Sequence, residues 1–289
     1  MGKTILKKTG ISTFCIALAC LFLTVTAQGS STLENVRQRG FLNCGVHASL
    51  PGFSIRSPQG WSGFEVDFCR AVAAATLGDA RQVRFIPLPL TQGYTELQQG
   101  DVDLLVRHNR WTMKLDTALG LTYVAPWFYE QQGFLVQSAS QIHQLKDLKG
   151  IRICVSPAND KLGESLGFFI QENHFPSFGI AAKAFENGQC DALSGPVSQL
   201  YITRKGFNSS AAMLIIANPA STRALGPIIR QQDAQWFKII RWTTYLLINA
   251  ESAGITKLTA SATPDKQGPA TLLAAAGLSG ISLGLEENW

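Results

Sequence analysis

Charge is scarce in this chain, and so are metal-binding residues. Only 16% of its 289 residues are Asp, Glu, Lys or Arg. So low a fraction excludes a disordered chain, a coiled coil and a polybasic nucleic-acid binder. The four His are scattered singly and no C-x-x-C pair occurs, so no zinc site of ordinary spacing is written here. There is no collagen period, low-complexity tract or solenoid repeat, which excludes fibrous and repeat architectures. What is present is an ordinary apolar content of 46%, enough for one large domain or two of usual size.

The one long apolar run stands at the start. Lys3, Lys7 and Lys8 form a positive region, Ile11 to Val25 is apolar, and Val25-Thr26-Ala27 carries small residues where a signal peptidase cuts. Residues 1–27 therefore read as a cleavable export signal, with Gln28 as the mature start. An uncleaved anchor is the rival, but the run falls short of the ~20 residues a span needs. Three of the 25 basic residues leave with the signal, so 22 basic and 20 acidic side chains remain and the nominal +5 shrinks to +2. The protein is expected to be soluble outside the cytoplasm.

Cysteine usage agrees. Cys15 and Cys20 lie in the signal, and Cys44, Cys69, Cys154 and Cys190 remain, an even number suited to an oxidising compartment. Four cysteines allow three connectivities. Pairing by proximity gives Cys44–Cys69 and Cys154–Cys190, loops of about 25 and 36 residues, each worth ~3.5 kcal/mol on the chain-entropy argument.

The pattern along the chain is strand and helix in alternation. Phe41–Val46, Val83–Pro87 and Val102–Val106 read as strands, the last apolar without alternation, as in a strand covered on both faces. Gly63–Leu77 reads as a helix with Phe64, Phe68, Val72 and Ala75 inward, closed by Gly78, and Cys69 beside Phe68 is placed to meet a cysteine on the strand beneath. Tyr94–Gln99 is a short helix. Such a βαβαβ series implies parallel strands between helices. A second series begins after Phe134-Leu135-Val136: a helical turn at Leu145–Lys149, a strand over Ile151–Val155, a helix over Leu162–Glu172, a strand at Ala192-Leu193, a helix over Ser198–Arg204 and a strand over Met213–Ala217. Leu225–Arg230 is extended. Gln232–Glu251 is a long helix with Trp236, Ile239, Ile240, Thr243, Leu247 and Ile248 as its inner face. Residues 260–270 read as loop. The fold class is α/β, with two α/β lobes joined by two crossings: residues 28–136 begin lobe 1, 137–222 form lobe 2, and 223–289 return to lobe 1. Ligands in such folds bind beyond the carboxyl ends of strands and between domains. That singles out the loops Ala48–Phe53, Arg107–Thr112, Ser156–Lys161 and Ser194–Val197.

The segments CGVHASLPGFS, GFEVDFCRAVAAATLGD, YTELQQGDVDLLVR, WTMKLDTALGL and LGPIIRQQDAQWFKIIRWTTYLLINAE, in this order, resemble the general L-amino-acid-binding proteins of polar amino-acid ABC transporters, family 3 of the solute-binding proteins. The resemblance runs from about Leu33 to Gly254. It implies a bilobal Venus-flytrap (periplasmic-binding-protein) fold, a periplasmic monomer that hands an amino acid or related polar solute to a membrane permease, and cysteines at the places of the four found here. No cofactor, metal or nucleic-acid partner is expected.

The resemblance also locates departures. The family holds the ligand carboxylate with an Arg in a W-T-x-x-R-D arrangement; here Trp111-Thr112-Met113-Lys114-Leu115-Asp116 puts Leu115 at that position. Its Gly-Thr-Thr-rich loop is Ser156-Pro157-Ala158-Asn159-Asp160-Lys161, in which Pro157 has lost an N–H. The Asp that takes the ammonium is Pro196. Both charged anchors are thus absent, and specificity is expected to be weakened or altered. The candidate ligand-binding residues are His108, Asn109, Arg110, Thr112, Ser156, Asn159, Asp160 and Ser194, and no catalytic residue is expected.

The alternatives are an enzyme on the same scaffold, such as a cyclohexadienyl dehydratase, or a degenerate non-transport binding protein. The first needs an acid/base pair in the cleft, which no spacing here demands. Gly163-Glu164-Ser165-Leu166-Gly167 matches G-x-S-x-G, but Ser165 lies well past the strand that motif requires.

Overall fold

The computed structural model describes residues 2, 31–156, 162–207, 212–256, 259, 279–287 and 289. The export signal, Asn159 and Asp160 of the candidate site, and loop 260–270 lie outside the described residues, apart from Gly2.

The first lobe grows from α1 (Thr32–Arg39). Ser31 caps it in a reciprocal box with Glu34, and Gly40 ends it in the left-handed conformation. Five strands form its sheet: β1 (Leu42–Val46), β5 (Val83–Pro87), β6 (Leu104–Val106), β7 (Leu121–Tyr123) and β13 (Ile228–Arg230), in the order β5-β1-β6-β13-β7. β1 runs parallel to β5 and β6, while β13 enters antiparallel between β6 and β7. Its apolar continuity is what lets it sit there, with Ile228 and Ile229 buried. On one face α2 (Phe64–Leu77) packs against α8 (Ala234–Ser252), and Val72, Phe68, Trp236, Ile239 and Ile240 share one core. Each such side chain fully removed from water is worth roughly 1.5–3 kcal/mol. Asp233 caps α8 by accepting from Trp236 N at 2.9 Å. Helices α3 (Leu90–Gln99) and α4 (Met113–Ala118) complete the lobe, and a small antiparallel sheet of β2 (Ser49–Leu50), β3 (Ser54–Ser57) and β4 (Gly60–Ser62) precedes α2.

In the second lobe the strand order is β10 (Gln171–His174), β9 (Arg152–Val155), β11 (Ala192–Pro196), β8 (Phe128–Gln137) and β12 (Met213–Leu225). Alternate residues pack on opposite faces: Leu135, Cys154 and Leu193 join one core with α6 (Phe178–Glu186), and Phe134, Val136, Ile153 and Val155 another. Both disulfides are the proximity pairs, Cys44–Cys69 between β1 and α2 and Cys154–Cys190 beside β9 and β11. Two α/β lobes of this make are a bilobal Venus-flytrap fold.

Several expectations are corrected. The helix expected over Leu162–Glu172 stops at Leu166 (α5), because Gly167 turns at φ +75°, and residues 171–174 become an edge strand paired with β9. That strand, QENH, is polar and hid its period. Helix α6 was not foreseen: its stripe of Ala181, Ala182, Ala184 and Phe185 is mostly small residues. The inner face of α8 ends at Thr244, with Leu247 and Ile248 exposed, and Phe64 is exposed as well. Among the described residues no helix is long and apolar enough to cross a membrane.

Candidate functional site

Two antiparallel segments connect the lobes. The start of β8 pairs with the end of β12 through Phe128↔Leu225, Tyr129↔Ala224 and Glu130↔Arg223. The loop after β6 is stitched to this hinge: Arg110 bridges Leu225, Trp111 N donates to Ala224 O and Gly226 N donates to Asn109 O. Gly226 has to be glycine, since a Cβ there would stand 2.0 Å from Ala125 O.

His108 is the pivot of the loop. It is one of two non-glycine residues with positive φ among the described residues, at +53°. The strained turn sends its backbone N–H to the Glu65 carboxylate, while its ring packs edge-on to Phe53. Nε2 of the same ring lies 3.3 Å from Glu130 Oε2 on β8, and Nδ1 is 3.9 Å from Glu65 Oε1. Glu130 in turn accepts from both the hydroxyl and the N–H of Ser198, at the start of α7 (Val197–Gly206). A line of polar contacts, Glu65–His108–Glu130–Ser198, therefore crosses from lobe to lobe.

Their electrostatics differ. Glu65 is 1% exposed, and burial pushes its carboxyl up to about 8 against the opposing pull of the His108 N–H, Ser54 and Arg107. Ser54 Oγ lies 2.8 Å from His47 O and 3.3 Å from Glu65 Oε2, and its one hydroxyl proton is shared between these two acceptors. Burial also works to raise Glu130, but the hydrogen bonds from His108 and Ser198 outweigh it and hold the group below its ordinary value.

A cavity of about 50 Å³ opens at the hinge, lined by His108, Arg110, Glu130, Gln132, Pro196 and Arg223 among others. Gln132 reaches from it to donate to Ser194 Oγ at 2.8 Å. Ser194 is fully buried near the end of β11, and Ser156 is buried where the neighbouring β9 ends. His108, Arg110 and Ser194 are thus brought together through Gln132. Asn109 is buried and its amide donates back to Leu105 O, into the lobe. Thr112 is exposed at the start of α4. Leu115 is 2% exposed in the lobe core with Leu97, Leu105 and Leu121, whereas Pro196 lines the cavity.

Glu65, Glu130, Gln132 and Arg223 were missed from sequence. Glu65 did carry a signal: it lies four residues before Cys69, on the inner side of its helix. Nothing local marks Glu130 or Arg223, which meet as cross-strand neighbours.

Two lobes, a paired hinge and a polar cavity between them define a ligand-trapping binding protein. The chain belongs to the bacterial extracellular solute-binding proteins, family 3, whose sequence model matches residues 42–261. It is 35% identical to the putative amino-acid ABC transporter-binding protein YhdW of Escherichia coli (strain K12), over 98% of this chain and 86% of that protein. It is also 35% identical to the general L-amino acid-binding periplasmic protein AapJ of Rhizobium johnstonii, over 86% of this chain and 75% of that protein. Among solved structures it resembles an ABC transporter/periplasmic binding protein from Brucella ovis with glutathione bound, at 34% identity and a TM-score of 0.73, covering 90% of this chain and 85% of that one.

Proposed function

We propose that this protein is the periplasmic solute-binding component of an ABC importer for amino acids or amino-acid-derived solutes. It is exported by a signal at residues 1–27 and delivers its ligand, as a monomer, to a membrane permease. The observation that carries this reading is the cavity between the lobes, in a chain of this family. Closure rotates one lobe on the other, and the strand pairs at 128–130 and 223–225 absorb the change.

The ligand set is altered. Leu115 and Pro196 offer no charge, and losing a charge-assisted anchor to a buried zwitterion costs about 2–5 kcal/mol. Ordinary free amino acids then bind tens to thousands of fold more weakly than to an intact site, on the order of 1.4 kcal/mol per factor of ten. His108, Arg110, Thr112, Ser156 and Ser194, with Asn159 and Asp160, are the residues proposed to hold the ligand; Asn109 supports their loop. The glutathione in the Brucella relative makes a peptide-sized amino-acid derivative a natural member of the test panel.

Calorimetric titration with the common L-amino acids and glutathione tests the reading. At least one is expected to bind saturably below millimolar concentration. Absence of heat and of any thermal shift with millimolar ligand across the panel rejects it.

A further inference from the structure

The hinge cavity carries more positive charge than its partners use. Arg110 reaches it from the loop after β6 and Arg223 from β12. Among the described residues neither guanidinium has a carboxylate within salt-bridge distance or a hydrogen bond from its side chain. They are close enough to feel each other: partial burial, then the positive charge of Arg223, holds Arg110 below the usual arginine value. The one acid in the lining, Glu130, is already committed to Ser198 and His108.

This arrangement is unfavourable when empty and favourable when an anion enters. Two like charges facing one small cavity repel, and the space, about 50 Å³, suits a group the size of a carboxylate. A guanidinium meets a carboxylate through a planar fork of donors. Among the described residues of the lining the one acid is Glu130, whose oxygens are occupied, so the two arginines leave this cavity with a net positive charge.

Resting on the binding-protein reading above, we infer that Arg110 and Arg223 form a carboxylate subsite, and that the ligand is a net-anionic amino-acid derivative with at least two carboxylates. The two arginines stand on different segments of the hinge region, so a carboxylate between them ties the loop of the first lobe to the long strand of the second. Ligand charge is then read at the point where closure happens.

Matched pairs differing in one carboxylate test this in the full chain at low salt: L-glutamate against L-glutamine, L-aspartate against L-asparagine, and glutathione against its glycine amide. Glutarate, a dicarboxylate without an amino group, completes the set. In at least one pair the acid is expected to bind about tenfold or more tightly than its amide, a difference of about 1.4 kcal/mol. That ratio is expected to fall toward one in Arg110→Gln and in Arg223→Gln, both exposed positions whose replacement leaves the thermal midpoint within a few degrees. Equal binding of acid and amide, or a preference that survives both substitutions, overturns the subsite while leaving the binding-protein reading intact. If no amino-acid derivative binds, that reading fails, and glutarate then decides the subsite alone. A glutarate-induced thermal shift in the wild type that is lost in the double variant supports it, and no shift sinks it.

Discussion

His108 Nε2 lies 3.3 Å from Glu130 Oε2, joining a loop of the first lobe to a strand of the second. The contact is what gives the hinge region a defined polar interior. Glu130 is held below its ordinary value of 4.5, so the stability it contributes is complete above that pH and is lost as pH falls through the lowered folded value. Glu130→Gln is expected to cost about 1–3 kcal/mol near neutral pH. The gap from wild type should narrow on acidification. Urea midpoints at neutral pH and near pH 3 measure both, and a gap independent of pH would show that the carboxylate charge plays no part.

Glu65 has the opposite sign. Its carboxyl, raised by burial to about 8, keeps a proton in the folded protein that the unfolded chain releases above about 4.5. Its contribution is therefore full at low pH and drains away as pH rises through that window, by at most about 1.4 kcal/mol per unit. Glu65→Gln should match wild type near pH 4 and exceed it in stability at pH 8. Parallel stability profiles for the two proteins would mean that Glu65 is ionised throughout.

The two disulfides each close a loop within one lobe, with sequence separations of 25 and 36. On chain entropy each is worth about 3.5 kcal/mol. Replacing Cys154 and Cys190 by Ala is expected to lower the denaturation midpoint of the second lobe first, seen as a separate early transition in calorimetry.

Leu115 packs with Leu97, Leu105 and Leu121 in the interior of the first lobe. Leu115→Arg places a charge among them, with an expected loss of about 3–5 kcal/mol unless the side chain escapes to the cleft. Measuring denaturation with and without amino acids separates the outcomes. A variant as stable as wild type that gains amino-acid affinity would show that position 115 still commands the ligand site.

Gly226 stands where a Cβ would meet Ala125 O at 2.0 Å and the Tyr123 hydroxyl oxygen at 2.8 Å. Gly226→Ala must push the hinge segments apart. A loss of several kcal/mol, or a marked change in ligand-induced closure by small-angle scattering, is expected. An unchanged midpoint and unchanged closure would show that the hinge is looser than its contacts imply.

Sequence patterns were informative where one rule governed an element. Apolar runs located β1, β5 and β6, and Gly78 closed α2 where periodicity said it should end. They failed where an element was polar, small or short. Gln171–His174 is an edge strand whose backbone pairing with β9 makes it a strand, and no side-chain pattern reports that. The hairpin sheet over Ser49–Ser62 is too short to show a period. Within the site, the loop at 107–112 was legible because it follows a buried strand. Arg223 was not, because its relation to Arg110 passes through strand pairing across the hinge.

By itself, then, the sequence determined a two-lobed α/β protein of low charge with four cysteines suited to pairing, and it placed uncharged residues at Leu115 and Pro196. Those are local properties: hydrophobic period, glycine position and side-chain chemistry. Only the tertiary structure decided which groups face one another. Folding buried Leu115, left Pro196 on the cavity wall, set His108 between Glu65 and Glu130, and turned Arg110 and Arg223 to one small space. Electrostatic consequences of that kind depend on distance and burial, which strand register and lobe packing fix and residue order does not.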